Sequence, residues 1–204
     1  MTVMRDGMTT SLMALVGRPG AGKGTQARLL GESSGMPILS TGDLLRRASA
    51  EPTPLGRAIH RYVSRGFLVP SRLVLELVAR SLEQLDGRHH GVILDGVPRN
   101  IRQALALEAL SEHGAIDLVV ELVVPVPAAS ARLAARCRSD DEASTVRRRM
   151  EVYERSTLPM VEWFDQAGRL VRVDADQPPE LVHARVREIT APILASGTAH
   201  LTIS

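Results

Sequence analysis

Lysine is almost missing from this 204-residue chain: Lys23 stands alone against 24 arginines. A bias that complete reflects a codon preference of the source genome, so the arginine excess is no argument for nucleic-acid binding. Cysteine is equally scarce. Cys137 alone excludes an internal disulfide and fits a reducing compartment. With no catalytic His–Asn pattern beside it, it reads as an ordinary surface or half-buried thiol. Aromatic residues make up only 2% of the chain, so Leu, Val, Ala and Ile must fill the core that a 44% hydrophobic content allows. The formal net charge is +2, with acidic residues interleaved among the arginines and no basic tail or stripe. Neither duplex nucleic acid nor a membrane surface is an expected partner. No run approaches the roughly 20 apolar residues of a membrane span. The N-terminus carries Arg5 and then Asp6, and its apolar run at 12–16 leads straight into a glycine-rich loop, which does not fit a cleavable signal peptide. A cytoplasmic location is the expectation. Residues 1–10, with Met4 and Met8, read as a tail or a misassigned start. No internal repeat or low-complexity block is visible.

What is present begins with Gly17-Arg-Pro-Gly-Ala-Gly-Lys-Gly-Thr25, set between an apolar run ending at Val16 and the helix-like Gln26–Leu30. Strand, glycine-rich turn and helix make a phosphate cradle: glycines let the backbone curl with its N–H groups inward, and the helix adds the positive end of its dipole. Lys23 would reach the terminal phosphates of a nucleotide. The general pattern G-x-x-x-x-G-K-[ST] is met at Gly17, Gly22 and Lys23, but Gly24 takes the hydroxyl position and Thr25 follows it.

Along the chain, short apolar runs at 12–16, 37–39, 91–94, 118–124 and 170–173 read as buried strands, separated by helical stretches at about 24–33, 54–65, 71–85, 101–112, 142–164 and 178–190. The helix opening near Ser40 is expected to take Thr41 as its N-cap, and the stretch 142–164 to be interrupted or kinked at Pro159. Strands alternating with helices imply an α/β fold, a five-stranded parallel sheet with helices on both faces. Ligands then belong at the C-terminal edge of the strands.

Four blocks carry a resemblance beyond periodicity: Gly17–Gln26, Ser40-Thr-Gly-Asp-Leu-Leu-Arg46, Leu94-Asp-Gly-Val-Pro-Arg-Asn-Ile-Arg-Gln103, and Thr145–Tyr153 followed by Thr157-Leu-Pro159. In order and spacing the chain, over about 11–190, resembles the adenylate kinases, whose phosphate loop also places Gly-Thr after the lysine. The resemblance implies a three-layer P-loop domain at 11–195 with tails at 1–10 and 196–204, a small helical acceptor-binding insert at about 40–69, and a very short lid at about 136–142. It implies transfer of the γ-phosphoryl of ATP to AMP, giving two ADP, by a monomer working with magnesium and without zinc.

Residue by residue, the resemblance assigns the donor phosphates to Gly20, Ala21, Gly22, Lys23, Gly24 and Thr25, with Arg136 over the donor nucleotide and Gln177 beside its base. It assigns AMP to Thr41, Arg46, Phe67, Leu68, Val69, Gly96, Arg99 and Gln103. Arg138 and Arg149 would clamp both phosphate chains and, with Lys23 and Arg99, act on the transferring group. Asp95 would hold magnesium through water, with Thr25 a possible second oxygen. Thr41 and Gln103 are of the type that implies adenine as the acceptor base. Three positions depart from the pattern: Val97 replaces an aromatic residue and is expected to loosen packing under the acceptor site, Arg18 replaces a small residue or proline, and the lid is shorter than the family's compact form. Two further readings stay open at this point, a nucleotide-binding relative with little turnover and a kinase for another acceptor such as UMP or CMP. Arg46 and Arg149 could also be solvated helix faces, and Asp95-Gly96 an ordinary turn. His60, His89, His90, His113 and His183 match no family site.

Overall fold

A computed structural model describes residues 11–85, 91–110, 116–136 and 142–196. The expected tail at 1–10, all of the expected tail at 196–204 except Ser196, which ends a helix, the lid residues 137–141 with Cys137 and Arg138, and His89, His90 and His113 lie outside the described residues. Five strands, β1 (Ser11–Val16), β2 (Ile38–Ser40), β3 (Gly91–Asp95), β4 (Leu118–Val123) and β5 (Leu170–Asp174), form one sheet in the order β2-β3-β1-β4-β5. Every pairing is parallel. The fold is therefore the expected α/β layer structure, and β1 lies at its centre, which explains why Ser11–Val16 is buried at every position. A central parallel strand is covered on both faces and so reads as a continuous apolar run.

The two faces can be read residue by residue. Leu12, Ala14 and Val16 enter one core with Val92, Leu94 and Val119, under Ile59, Val78, Leu107 and Phe164. Met13 and Leu15 enter the other with Ile93, Val120 and Leu122, under Leu30, Ala129 and Val186. The first core is roofed by α3 (Pro54–Val63), α4 (Ser71–Glu83), α5 (Ile101–Leu110) and α8 (Leu158–Gln166); the second by α1 (Lys23–Ser34), α6 (Val126–Arg136) and α9 (Pro179–Ser196). Small helix formers and β-branched residues do the filling, as the aromatic scarcity requires. Two of the few aromatic residues, Trp163 and Phe164, meet edge to face at 4.8 Å, and Tyr153 is buried elsewhere. Val97 is completely buried in the first core.

Local chemistry sets most boundaries. α1 ends at Gly35, whose left-handed backbone (φ +71°) lets its N–H bond back to the Gly31 carbonyl. α3 starts where the Thr53 hydroxyl accepts the Gly56 N–H at 2.9 Å with Pro54 in the first turn. Two expectations need correction. Thr41 is not a cap but the first residue of α2 (Thr41–Ala50), because its hydroxyl donates instead to the Asp95 carbonyl at 3.1 Å. The helical stretch from 142 breaks before Pro159, not at it: α7 (Ala143–Val152) passes through a π-turn at Tyr153–Thr157 into α8. Proline has no N–H to continue the ordinary ladder, and the turn ahead of it widens so that the Leu158 N–H bonds to the Tyr153 carbonyl.

The register brings the strand ends together. Ser40 pairs with Asp95, Leu15 with Asp95, Val16 with Glu121, and Glu121 with Arg172. The C-terminal edge thus carries the loop after β1, the α2 entry after β2 and the Asp95–Arg99 turn after β3 side by side.

Candidate functional site

The loop after β1 packs closely against the backbone of β4 at Leu122 and of α6 at Ala129. Gly20 has φ +84°, and a Cβ there would run into the backbone carbonyl of Ala129, so only glycine fits. Gly22 provides the N-cap position of α1 without any side-chain cap to its amides. The first N–H groups of a helix have no partner inside the helix, so this end presents donors and a positive dipole to an anion. Lys23, the first residue of α1, folds back over the loop and donates from Nζ to the carbonyls of Gly17 at 2.8 Å and Arg18 at 3.1 Å. Burial lowers its pKa from 10.5 to about 8; Asp95 opposes the shift, and the charges of Arg99, Arg136 and Arg149 add to it.

Across the cleft, β3 ends in Asp95, whose Oδ2 accepts the Ser40 hydroxyl at 3.2 Å. Gly96 follows with φ +82°; a Cβ there would lie 2.7 Å from Thr41 Oγ1 and 3.0 Å from Arg99 Nη2, so its bareness is what lets Arg99 cross the turn. Arg99 is held at three points: its Nε donates to the Gly96 carbonyl at 2.7 Å, its N–H to Gln103 Oε1 at 2.7 Å, and its carbonyl accepts the Thr157 hydroxyl at 3.0 Å. Burial pulls the Arg99 pKa below its usual value, Asp95 counters this, and Arg149 and Arg46 pull further. Like charges held this close to one another, partly out of water, are a site waiting for an anion.

These parts line one cavity of about 830 Å³. Gly20, Gly22, Lys23, Gly24 and Thr25, from the loop after β1 and the start of α1, line it together with Thr41, Arg46, Gly96, Arg99 and Gln103. Phe67, Leu68 and Val69, Asp95, and both Arg136 and Arg149 also line it. Arg46 additionally pairs with Asp43 at 2.5 Å and is partly exposed. Ala21 and Gln177 are brought instead to an adjoining cavity of about 170 Å³, shared with Gly22, Thr25 and Arg132. There the Gln177 amide donates to Asp174 at 3.1 Å. Arg138 lies outside the described residues.

The oxygen donors can be tested against a magnesium ion. Asp95 Oδ2 sits 3.6 Å from where a Gly24 Cβ would stand, and Asp95 and the exposed Thr25 line the same cavity. One carboxylate and one hydroxyl are hard ligands of the sort that hold a water-rich magnesium shared with phosphates. The donor set fits the ion. Among the described residues no group of three or more His, Cys, Asp or Glu side chains is assembled to hold a metal by itself.

A family model described as adenylate kinase matches residues 15–169. The chain belongs to the adenylate kinase family. Adenylate kinase 1 of Synechocystis sp. is 39% identical over 182 residues, covering 88% of this chain and 97% of that protein. The adenylate kinases of Thermus thermophilus and Thermobifida fusca are 46% and 42% identical, covering 84% and 85% of this chain and 92% and 94% of theirs.

Within the adenylate kinase fold, sequence reasoning overlooked Arg132. It lines both cavities and is fixed by donating from Nη1 to the Ala175 carbonyl at 2.8 Å. The signal was available: Arg132 precedes Arg136 by four residues on α6, one turn along the same face. Arg18, the departure in the phosphate loop, places its guanidinium 5.7 Å over the Tyr153 ring. Phe67, 45% exposed, carries the Arg148 guanidinium 4.5 Å over its ring, which ties the end of the 40–69 segment to α7. No helix of the described residues is long and apolar enough to cross a membrane.

Proposed function

We propose that this protein moves the γ-phosphoryl group of ATP to AMP, producing two ADP in a reversible reaction. The observation that carries the reading is a single cavity with the phosphate loop and Lys23 on one wall and the Thr41, Arg99 and Gln103 pocket on the other. Two polyanions must be brought in line there, and positioning together with fixed positive charge performs most of the catalysis in phosphoryl transfer. Lys23 and the α1 amides hold the donor phosphates, Arg132 and Arg136 flank the donor nucleotide, and Arg99 and Arg149, with Arg138, gather charge around the transferring group. Arg46 joins Arg99 on the phosphate of AMP. Magnesium arriving with ATP would be held by Asp95 through water and by Thr25, and supplies neutralisation of phosphate charge.

In this reading the acceptor base is contacted by two groups, Thr41 and Gln103, and their bonds within the protein support it. The Thr41 hydroxyl donates to the Asp95 carbonyl, which leaves its lone pairs to accept from a ligand; Gln103 Oε1 takes the Arg99 N–H, which leaves Nε2 as the donor this side chain offers a ligand. One acceptor beside one donor matches the adenine edge, with its amino group next to a ring nitrogen. Guanine and uracil present the reverse pair. A mismatch leaves buried polar groups unpaired at about 1–3 kcal/mol. Cytosine shares the adenine pattern, and its smaller ring is what sets it apart.

Closure of the 40–69 insert and of the 136–142 lid would exclude water, so that transfer outruns hydrolysis. The same reading has the protein acting as a monomer in the cytoplasm. Its test is ADP formation from ATP plus AMP, beside ATP hydrolysis without AMP, in wild type and Lys23→Ala. AMP-dependent ADP formation lost in Lys23→Ala is expected; nucleotide binding by the wild type without ADP formation would favour a regulatory relative and overturn the proposal.

A further inference from the structure

The Thr157-Leu-Pro159 motif takes no part in the nucleotide contacts proposed above, yet it closes the π-turn at Tyr153–Thr157. Turns of this kind inside helices are rare and concentrate at functional sites. The turn touches three separate parts of the catalytic machinery. At its start the Tyr153 N–H donates to the carbonyls of Arg149 and Met150. At its end the buried Thr157 hydroxyl donates to the carbonyl of Arg99. Between them, the Tyr153 ring lies under the guanidinium of Arg18, whose own carbonyl accepts from Lys23.

The turn is also moored to the sheet. Tyr153 donates its hydroxyl to Glu121 Oε1 at 2.8 Å, and Glu121, only 7% exposed, accepts Arg172 Nε on its other oxygen at 3.1 Å. Arg172 is the cross-strand neighbour of Glu121 and reaches Asp165 on α8 at 3.0 Å. Burial and the Glu121 carboxylate both push the Tyr153 pKa up, so the phenol stays a donor across the working pH range. Arginine is a long side chain, and the place of its guanidinium depends on how firmly its main chain is held. We infer that the π-turn is a brace that sets the spacing of Arg99 and Arg149, with Tyr153 and Thr157 as positioning residues and Glu121 as the anchor. Both hydroxyl protons are donated within the protein, to Glu121 and to the Arg99 carbonyl, and in the inference each residue acts through an arginine. The inference rests on the proposed roles of Arg99 and Arg149 in the transfer.

The test uses the full chain and steady-state ADP formation with ATP and AMP varied in turn. Thr157→Val keeps the shape and removes the donor; Tyr153→Phe does the same at the opposite end, and either carries the test if the other fails to fold by circular dichroism. Each should lower kcat roughly tenfold, the scale of a displacement well under 1 Å, with both KM values within about twofold. Thr157→Ser, which keeps the hydroxyl, should restore wild-type kcat. In an Arg149→Lys background, Tyr153→Phe should add less than about a twofold loss. Wild-type kcat in Thr157→Val, equal losses in Thr157→Ser and Thr157→Val, or a loss confined to KM would overturn the brace while leaving the function standing. A wild type that forms no ADP would overturn the function, and the brace with it.

Discussion

Replacing Lys23 by methionine should make the nucleotide-free protein more stable while abolishing its use of ATP. The folded protein holds the Lys23 ammonium at a pKa of about 8 against an ordinary 10.5. At about 1.36 kcal/mol per unit, keeping it charged at pH 7 costs about 3 kcal/mol. Methionine removes that cost and keeps an unbranched stem in the same space. It also gives up two hydrogen bonds, to the Gly17 and Arg18 carbonyls, at about 0.5–1.5 kcal/mol net each. The balance is a gain of about 1–2 kcal/mol. The sign of the pH dependence follows from a depressed folded pKa: the penalty is complete below about pH 8 and vanishes above 10.5. Between pH 7 and pH 9.5 the advantage of Lys23→Met should therefore shrink by about 2 kcal/mol. Urea denaturation of both proteins at the two pH values measures it. Adding ATP at about 100 times its Kd should raise wild-type stability by about 2.7 kcal/mol and leave the variant unmoved. A Lys23→Met protein that is less stable at pH 7, or whose advantage does not fall with pH, would refute the reasoning.

Gly20→Ala should destabilise by about 3 kcal/mol or more, because a Cβ there meets the Ala129 backbone, whereas Gly22→Ala meets open space and should cost only the 1–2 kcal/mol of a left-handed alanine; urea midpoints of the two variants compare them. In a coupled assay kcat/KM for GMP and UMP should fall at least tenfold below that for AMP, and Gln103→Glu, which has no amide donor, should raise the KM for AMP about tenfold or more. His183 is held below its usual pKa by burial and by Arg187, with Glu32 opposing, and its Nδ1 has no hydrogen-bond partner among the described residues. Stability should then decline as pH falls through 6.5, and His183→Gln should flatten that decline in urea titrations between pH 7.5 and 5.5.

Much of this architecture was legible in the residues. The glycines around Lys23 demanded a curled loop, and the five apolar runs too short for core helices became the five strands. Strand order was not legible, since alternation tells which face a side chain takes and not which strand lies beside it. Thr41 looked like a cap because caps and first-turn residues share a composition; what decided the matter was the carbonyl of Asp95, 54 residues away. The same distance problem hid the bond from Tyr153 to Glu121, where a carboxylate inside a β-branched run gave no sign that a phenol would meet it. Pro159 announced a disturbance in the helix, but the disturbance fell in the turn ahead of it, where the missing N–H is felt. Arg132 was passed over among many arginines, and only the fold separates it from those on solvated faces.

The central claim is that one phosphoryl group crosses from a nucleotide on the Lys23 wall to a nucleotide on the Arg99 wall. Incubating the protein with ATP labelled in its γ-phosphate and unlabelled AMP, and following the label by separating the products, tests this directly. The account predicts label in the β-position of ADP, with two ADP formed for each AMP consumed. Label released as inorganic phosphate, or retained in ATP while AMP stays bound, would contradict it.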